Sequence, residues 1–217
     1  QTTGICYPNS STASVACVPP PGRIIVDKVT IPSGDPQSFA FTTTGTGYTG
    51  FSLTDLAAPN DQTLSPGTYS VAETPVSGWT QTSATCDSGT PASLSLSAGQ
   101  VIHCTFTNTK KGHLIVQKTT YPAGDPTVFT INASGTGTIT SGGAGTVTDA
   151  LDQTYEVTPG TYSVAETIPA GWSKTGDTCQ SVAVAAGETK YCLLTNAKGS
   201  RIIVDKVTIP SGDPQSF

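Results

Sequence analysis

"GRIIVDKVTIPSGDPQSF", residues 22–39, is the stretch that decides the fold. Successive side chains of a strand face opposite ways, so Ile24, Val26 and Lys28 share one face while Ile25, Asp27 and Val29 share the other. The run stops at Pro32-Ser33-Gly34-Asp35-Pro36, where proline presets φ and glycine tolerates positive φ, the chemistry of a turn. The phrase comes back as "GHLIVQKTTYPAGDPTVF" at 112–129 and, letter for letter from Arg23 onward, at 201–217. Two more phrases repeat: "PGTYSVAETPVSGW" (66–79) as "PGTYSVAETIPAGW" (159–172), and "CTFTNTKKG" (104–112) as "CLLTNAKG" (192–199). Repetition at a fixed period is a signature of tandem modules. We read modules at 23–111 and 112–199, a cysteine hairpin extension at 1–22, and at 200–217 an incomplete copy of the start of the first module. That tail is expected to be either a segment donated to a neighbouring molecule or a truncated repeat.

The 217 residues are 35% hydrophobic and 12% charged, with 23 glycines, 16 prolines and no methionine. Thr, Gly, Ser, Pro and Val dominate and no long run favours helix, so the expected class is all-β, short strands joined by tight turns. A formal charge of −5 without a Lys/Arg stripe argues against nucleic acid or an anionic membrane as partner. No apolar run approaches the roughly 20 residues that cross a bilayer as a helix. Gln1 at the start and the absence of methionine fit a processed or excised chain.

Six cysteines fall into three local pairs, Cys6 with Cys17, Cys86 with Cys104 and Cys179 with Cys192. None forms a CxxC, and the two histidines are not spaced to complete a zinc tetrahedron, so disulfides are expected and a metal is not. Connectivity stays open among about 15 pairings. Disulfides place the chain outside the cytosol, and closing each local loop contributes on the order of 3 kcal/mol. Asp35 and Asp125 each offer one carboxylate per turn, too few oxygens for calcium. No cofactor is expected.

Parity along three strands concentrates polar groups on the apolar side. Lys28 lies with Ile24 and Val26; Glu73 lies with Tyr69 and Val71; Asn108 lies with Cys104 and Phe106. The second module repeats this with Lys118, Glu166 and Asn196. Burial without partners costs several kcal/mol per group. Two arrangements meet that cost. In one, desolvation gives a neutral amine and a protonated carboxyl, the amine attacks the asparagine amide, and ammonia leaves behind an isopeptide bond. In the other, the groups sit at strand ends near the rim, where Lys and Glu form an ordinary ion pair and Asn bonds nearby backbone.

The order "VDK" or "VQK", then "YSVAET" followed by proline and Gly-Trp, then a closing "TN", resembles the prealbumin-like modules of the CnaB and SpaA type found in bacterial surface adhesins and pilins. The resemblance covers nearly all of 23–199 and implies an all-β fold of tandem small Ig-like or prealbumin-like β-sandwiches, with an incomplete segment at each end. It implies that Lys28 is joined to Asn108 with Glu73 as catalyst, and Lys118 to Asn196 with Glu166. Cysteine pairs beside the last strand depart from the commonest cross-linked members. The function implied is a structural subunit of an extracellular filament or surface stalk, joined head to tail to copies of itself, with strand donation as one route. The alternative is a cell-surface adhesin that binds a carbohydrate or protein through its loops. Enzymatic chemistry beyond self-cross-linking is not expected: His103 and His113 have no nucleophile in a recognisable motif beside them. "GTGYTG" and "GTGTITSGGAG" lack the Lys-Ser/Thr ending of a phosphate cradle. Trp79 and Trp172 are expected to pack at the sandwich edge rather than stack on sugar. Asn9 and Asn132 head sequons, so glycans are an accessory expectation.

Overall fold

The computed structural model describes residues 5–8 and 15–207. No helix occurs among them. A hairpin of β1 (Ile5–Pro8) and β2 (Val15–Val18) comes first, with Cys6 opposite Cys17 in the backbone register. Two sandwiches follow.

The first sandwich contains β3 (Gly22–Ile31), β4 (Phe39–Thr44), β5 (Phe51–Leu53), β6 (Asn60–Leu64), β7 (Gly67–Glu73), β8 (Trp79–Cys86), β9 (Leu94–Leu96) and β10 (Val101–Lys110). Its sheets run β6-β3-β10-β8 and β5-β4-β7-β9. The second contains β11 (Gly112–Tyr121), β12 (Phe129–Gly135), β13 (Ala144–Val147), β14 (Gln153–Val157), β15 (Gly160–Thr167), β16 (Trp172–Asp177), β17 (Val182–Val184) and β18 (Thr189–Lys198). Its sheets repeat the order as β14-β11-β18-β16 and β13-β12-β15-β17. Only Lys111 separates β10 from β11.

In each sandwich the first strand pairs in parallel with the last, β3 with β10 and β11 with β18. The chain therefore comes in at one end of a central pair and leaves from the opposite end of its neighbour. Burial alternates strictly along β3 and β11, as the period-2 reading requires. Ile24, Val26, Phe39, Val71, Leu94 and Phe106 fill the first core, and Leu114, Val116, Phe129, Tyr155, Tyr162 and Leu194 fill the second.

The repeated turn is held from a distance. Asp55 accepts hydrogen bonds from the amides of Thr30 and Gly34 and from the Ser33 hydroxyl, and Asp149 does the same for the amides of Thr120 and Gly124. Gly34 (φ 83°) and Gly124 (φ 75°) supply the left-handed residue the turn needs. Ile31-Pro32 and Tyr121-Pro122 are cis.

Asp35 and Asp125 are committed within their own turns. Asp35 accepts from the Gln37 amide and pairs with Lys110 at 2.8 Å; Asp125 accepts from the Thr127 amide and hydroxyl and pairs with Lys198 at 2.9 Å. The Thr127 hydroxyl first, then Lys198, hold the Asp125 carboxyl down to about 2. Its folded value lies below the ordinary aspartate value, so its contribution is present above about pH 4 and is lost as pH falls toward about 2. A carboxyl NMR titration should place the Asp125 midpoint near 2; a midpoint near 4 would show that the Thr127 and Lys198 contacts do not hold in solution.

The segment 201–207 forms no strand. Ile202, Ile203, Val204 and Val207 are 75–88% exposed, whereas Ile24 and Val26, the residues matching Ile202 and Val204 in the identical phrase, are 0% exposed. Residues 208–217, and with them most of the restarted phrase, lie outside the described residues, as does the Asn9 sequon.

Candidate functional site

The parallel pairing of β3 with β10 sets Lys28 opposite Phe106 and Asn108 opposite Thr30, so the two side chains sit one strand apart and two residues along. Glu73 reaches them from β7 in the facing sheet. All three side chains are buried: Lys28 and Asn108 are each 2% exposed, and the Glu73 side chain is 1% exposed. The Lys28 Nζ lies 3.6 Å from a Glu73 carboxylate oxygen, and the Asn108 amide Nδ2 donates to the other. Glu73 thus touches both candidate partners. The amine also donates to the backbone carbonyls of Val29 (3.0 Å) and Phe106 (3.3 Å), and sits 4.1 Å from the centre of the Phe39 ring. Burial depresses the Lys28 pKa, and the Glu73 carboxylate only partly restores it.

The second sandwich repeats the constellation. Lys118 lies opposite Leu194 and Asn196 opposite Thr120. The Lys118 Nζ is 3.8 Å from Glu166, donates to the carbonyls of Thr119 (3.1 Å) and Leu194 (3.4 Å), and lies 4.3 Å from the Phe129 ring centre. Burial again depresses the lysine pKa first, with Glu166 and Asp149 pulling it upward. One difference stands out: both Glu166 oxygens and both Asn196 side-chain polar atoms lack a hydrogen-bond partner, whereas in the first sandwich only one oxygen of each residue does.

Each site is closed from below by an aromatic stack. Trp79 packs edge-on against Phe39 at 5.3 Å and Trp172 against Phe129 at 5.2 Å, with Lys110 and Lys198 over the respective indoles. The tryptophans are thus engaged by their own modules. His103 and His113 are exposed on outer faces. Asn132 is exposed on β12, so its sequon is accessible.

The cysteines that look equivalent in sequence are wired differently. Cys86–Cys104 joins neighbouring strands β8 and β10 of one sheet, where the two residues are already register partners. Cys179–Cys192 joins β18 to the loop after β16. That loop rides on the facing sheet, because the Val164 amide of β15 donates to the Cys179 carbonyl.

Sequence reasoning missed Phe39 and Phe129 under the amines and Asp55 and Asp149 behind the turns. Both pairs had a signal. The phenylalanines end the repeated phrase itself, and Thr-Asp follows an apolar residue in both "LTD" (53–55) and "VTD" (147–149).

In each sandwich, two four-stranded sheets, a parallel pairing of the first strand with the last and a buried Lys/Glu/Asn trio define the class as a tandem of small prealbumin-like modules. A family model for the prealbumin-like fold domain matches residues 24–110, and a second model of the same description matches 112–202. Both sandwiches therefore belong to the prealbumin-like (SpaA-type) fold family. Among solved structures, the Bacillus anthracis TIE protein is 19% identical over 87% of this chain (TM-score 0.41), and this chain spans 36% of that one. The major pilin T-13 of Streptococcus pyogenes is 12% identical, covering 83% of this chain and 98% of its own (TM-score 0.28). The shaft pilin of Lactobacillus rhamnosus GG is 12% identical, covering 84% and 100% (TM-score 0.32). No curated protein sequence matches the chain.

Proposed function

We propose that the chain is a load-bearing part of an extracellular filament or surface stalk, each sandwich locked by a self-formed isopeptide bond between its first and last strands. The observation that carries this is the pair of buried trios. Left unreacted, each holds a desolvated amine and orphaned carboxylate and amide atoms, which are costly. Condensation removes the lysine charge and leaves a neutral secondary amide facing the glutamate.

The chemistry balances without a cofactor. The Lys28 Nζ bonds to Asn108 Cγ, the Cγ–Nδ2 bond breaks, and Glu73 carries a proton from the amine to the departing nitrogen, which leaves as ammonia. Burial favours the neutral amine that the attack requires. Two backbone carbonyls hold the amine's hydrogens, leaving its fourth tetrahedral direction for the reacting groups. Lys118, Glu166 and Asn196 take the same parts in the second sandwich.

The mechanical role comes from position. With Lys28 tied to Asn108, tension passes from β3 through the link to β10 and bypasses residues 29–107. The hydrogen bonds of the ladder, each worth about 1 kcal/mol net, are then not the elements that resist pulling. Small domains of this size are marginal without staples, and a covalent tie raises kinetic stability where proteases and heat act. Disulfides support an extracellular setting. Growth into a filament would be by head-to-tail contact with further copies, a heterologous contact that need not close. The apolar segment 201–207 is the candidate donor.

Intact mass of the full chain under reducing conditions tests the reading. The expected mass is short by two molecules of ammonia, one per sandwich, and peptide mapping should recover Lys28–Asn108 and Lys118–Asn196 branched peptides. A full-length mass with no ammonia lost would end it.

A further inference from the structure

The two sandwiches differ along one seam, where the glutamate-bearing strand faces the sheet that carries lysine and asparagine. In the first, a groove of about 370 Å³ runs along it, lined by Ser70, Val71, Glu73, Gln81, Ala84 and Phe106. In the second, Lys174 and Asp177 stand where the first has Gln81 and Ala84: Gln81 is the register partner of Asn108 and Ala84 of Phe106, as Lys174 is of Asn196 and Asp177 of Leu194.

These residues are tied together. Lys174 pairs with Asp177 at 2.7 Å, Asp177 accepts from the Cys179 amide at 2.8 Å and from Gln180 at 3.0 Å, and Gln180 also donates to the Val164 carbonyl of β15 at 3.0 Å. The Cys179 carbonyl takes the Val164 amide at 2.9 Å. Through Cys179–Cys192 the assembly is anchored on β18, four residues before Asn196. A continuous path therefore runs from the strand of Glu166 to the strand of Asn196. The first sandwich has no such tie in its disulfide, which joins two strands of one sheet; there Asn108 and Glu73 are hydrogen-bonded directly.

We infer that Cys179–Cys192 and the Lys174–Asp177–Gln180 cluster it anchors are positioning residues for the second cross-link, so that this link forms efficiently only after the disulfide, while the first link forms without one. The inference rests on the isopeptide reading above. Its physical basis is that a displacement of about 1 Å in reacting groups can cost about 10²-fold in rate. In the second sandwich no hydrogen bond holds Glu166 to Asn196, so the spacing of their strands must come from elsewhere. Electrostatics agrees with the geometry: burial depresses the Lys118 amine, Glu166 and Asp149 raise it, and the neighbouring Lys174 charge lowers it further. The disulfide closes as two thiols pass two electrons and two protons to an organic disulfide, which is reduced to thiols. The cross-link then forms as in the first sandwich, with loss of ammonia and no redox change.

The test uses the full chain, refolded in reducing buffer and then exposed to oxidised glutathione, with both branched peptides followed over time by mass spectrometry. In the wild type the Lys28–Asn108 link should appear before oxidant is added, and the Lys118–Asn196 link should accelerate by about tenfold or more on its addition. Cys179→Ser with Cys192→Ser should abolish that acceleration, whereas Cys86→Ser with Cys104→Ser should leave the first link's rate unchanged. Lys174→Gln, which copies the first sandwich, should slow the second link with the disulfide intact, and Lys174→Arg should restore it. Rates are compared where circular dichroism shows equal folded fractions, so that lost stability alone does not count as support. Equal rates for the second link with and without the disulfide overturn this inference and leave the isopeptide reading standing; absence of both links from the wild type overturns that reading itself.

Discussion

Pulled between Gly22 and Lys110 in reducing buffer, the first sandwich of the wild-type chain is expected to keep its folded length, while Asn108→Ala lengthens by roughly 270 Å as residues 29–107 are released at about 3.4 Å each. The parallel pairing of β3 with β10 places the pulling points at opposite ends of adjacent strands, a shear geometry. Without the link, that ladder gives way and everything between the strands follows. With it, only the few residues outside Lys28 and Asn108 can extend. In oxidising buffer the variant should release less chain, because Cys86–Cys104 keeps residues 87–103 out of the path. Single-molecule force spectroscopy on the full chain reads this directly. A wild-type trace with the full release length would refute the tie between first and last strands.

The second large effect is expected from Glu166→Ala. It removes the proton carrier and leaves the Lys118 amine, whose side chain is 0% exposed, without its carboxylate. Removing one partner of a buried pair costs about 3–5 kcal/mol, and losing the covalent closure of a loop this long costs about 4–5 kcal/mol more in the chain-entropy model. For a domain of this size the melting temperature of the second sandwich should fall by about 15 °C or more. Glu166→Gln separates the contributions: it keeps the shape, cannot carry the proton, and should lose the link with a smaller stability loss. Differential scanning calorimetry with peptide mapping distinguishes the outcomes. A Glu166→Ala chain that melts with the wild type and still carries the branched peptide would remove Glu166 from the chemistry.

Much of this was legible in the residues. Period-2 alternation placed Lys28, Glu73 and Asn108 on inner faces because a strand's geometry leaves two choices of face, and the apolar neighbours choose one. Proline and glycine marked the turns for similarly local reasons. The repeats made each inference twice. What parity could not supply was distance: that Glu73 contacts both Lys28 and Asn108 depends on which strands become neighbours, and parallel pairing of strands this far apart in sequence is set by the whole sheet order.

The cysteines show the same boundary. Their local spacing pointed to three pairs of one kind, yet Cys86 lies on a strand and Cys179 on a loop crossing to the other sheet, a distinction only the packing makes. The sharpest case is the repeated heptapeptide "RIIVDKV". At 23–29 it is a buried central strand, with β6 on one side, β10 on the other and a second sheet across its inner face. At 201–207 the same letters form no strand and expose their isoleucines and valines. Sequence determined which faces the side chains would present; the fold alone decided whether anything stood there to receive them, because a strand's hydrogen bonds and apolar face are satisfied only by other segments of chain.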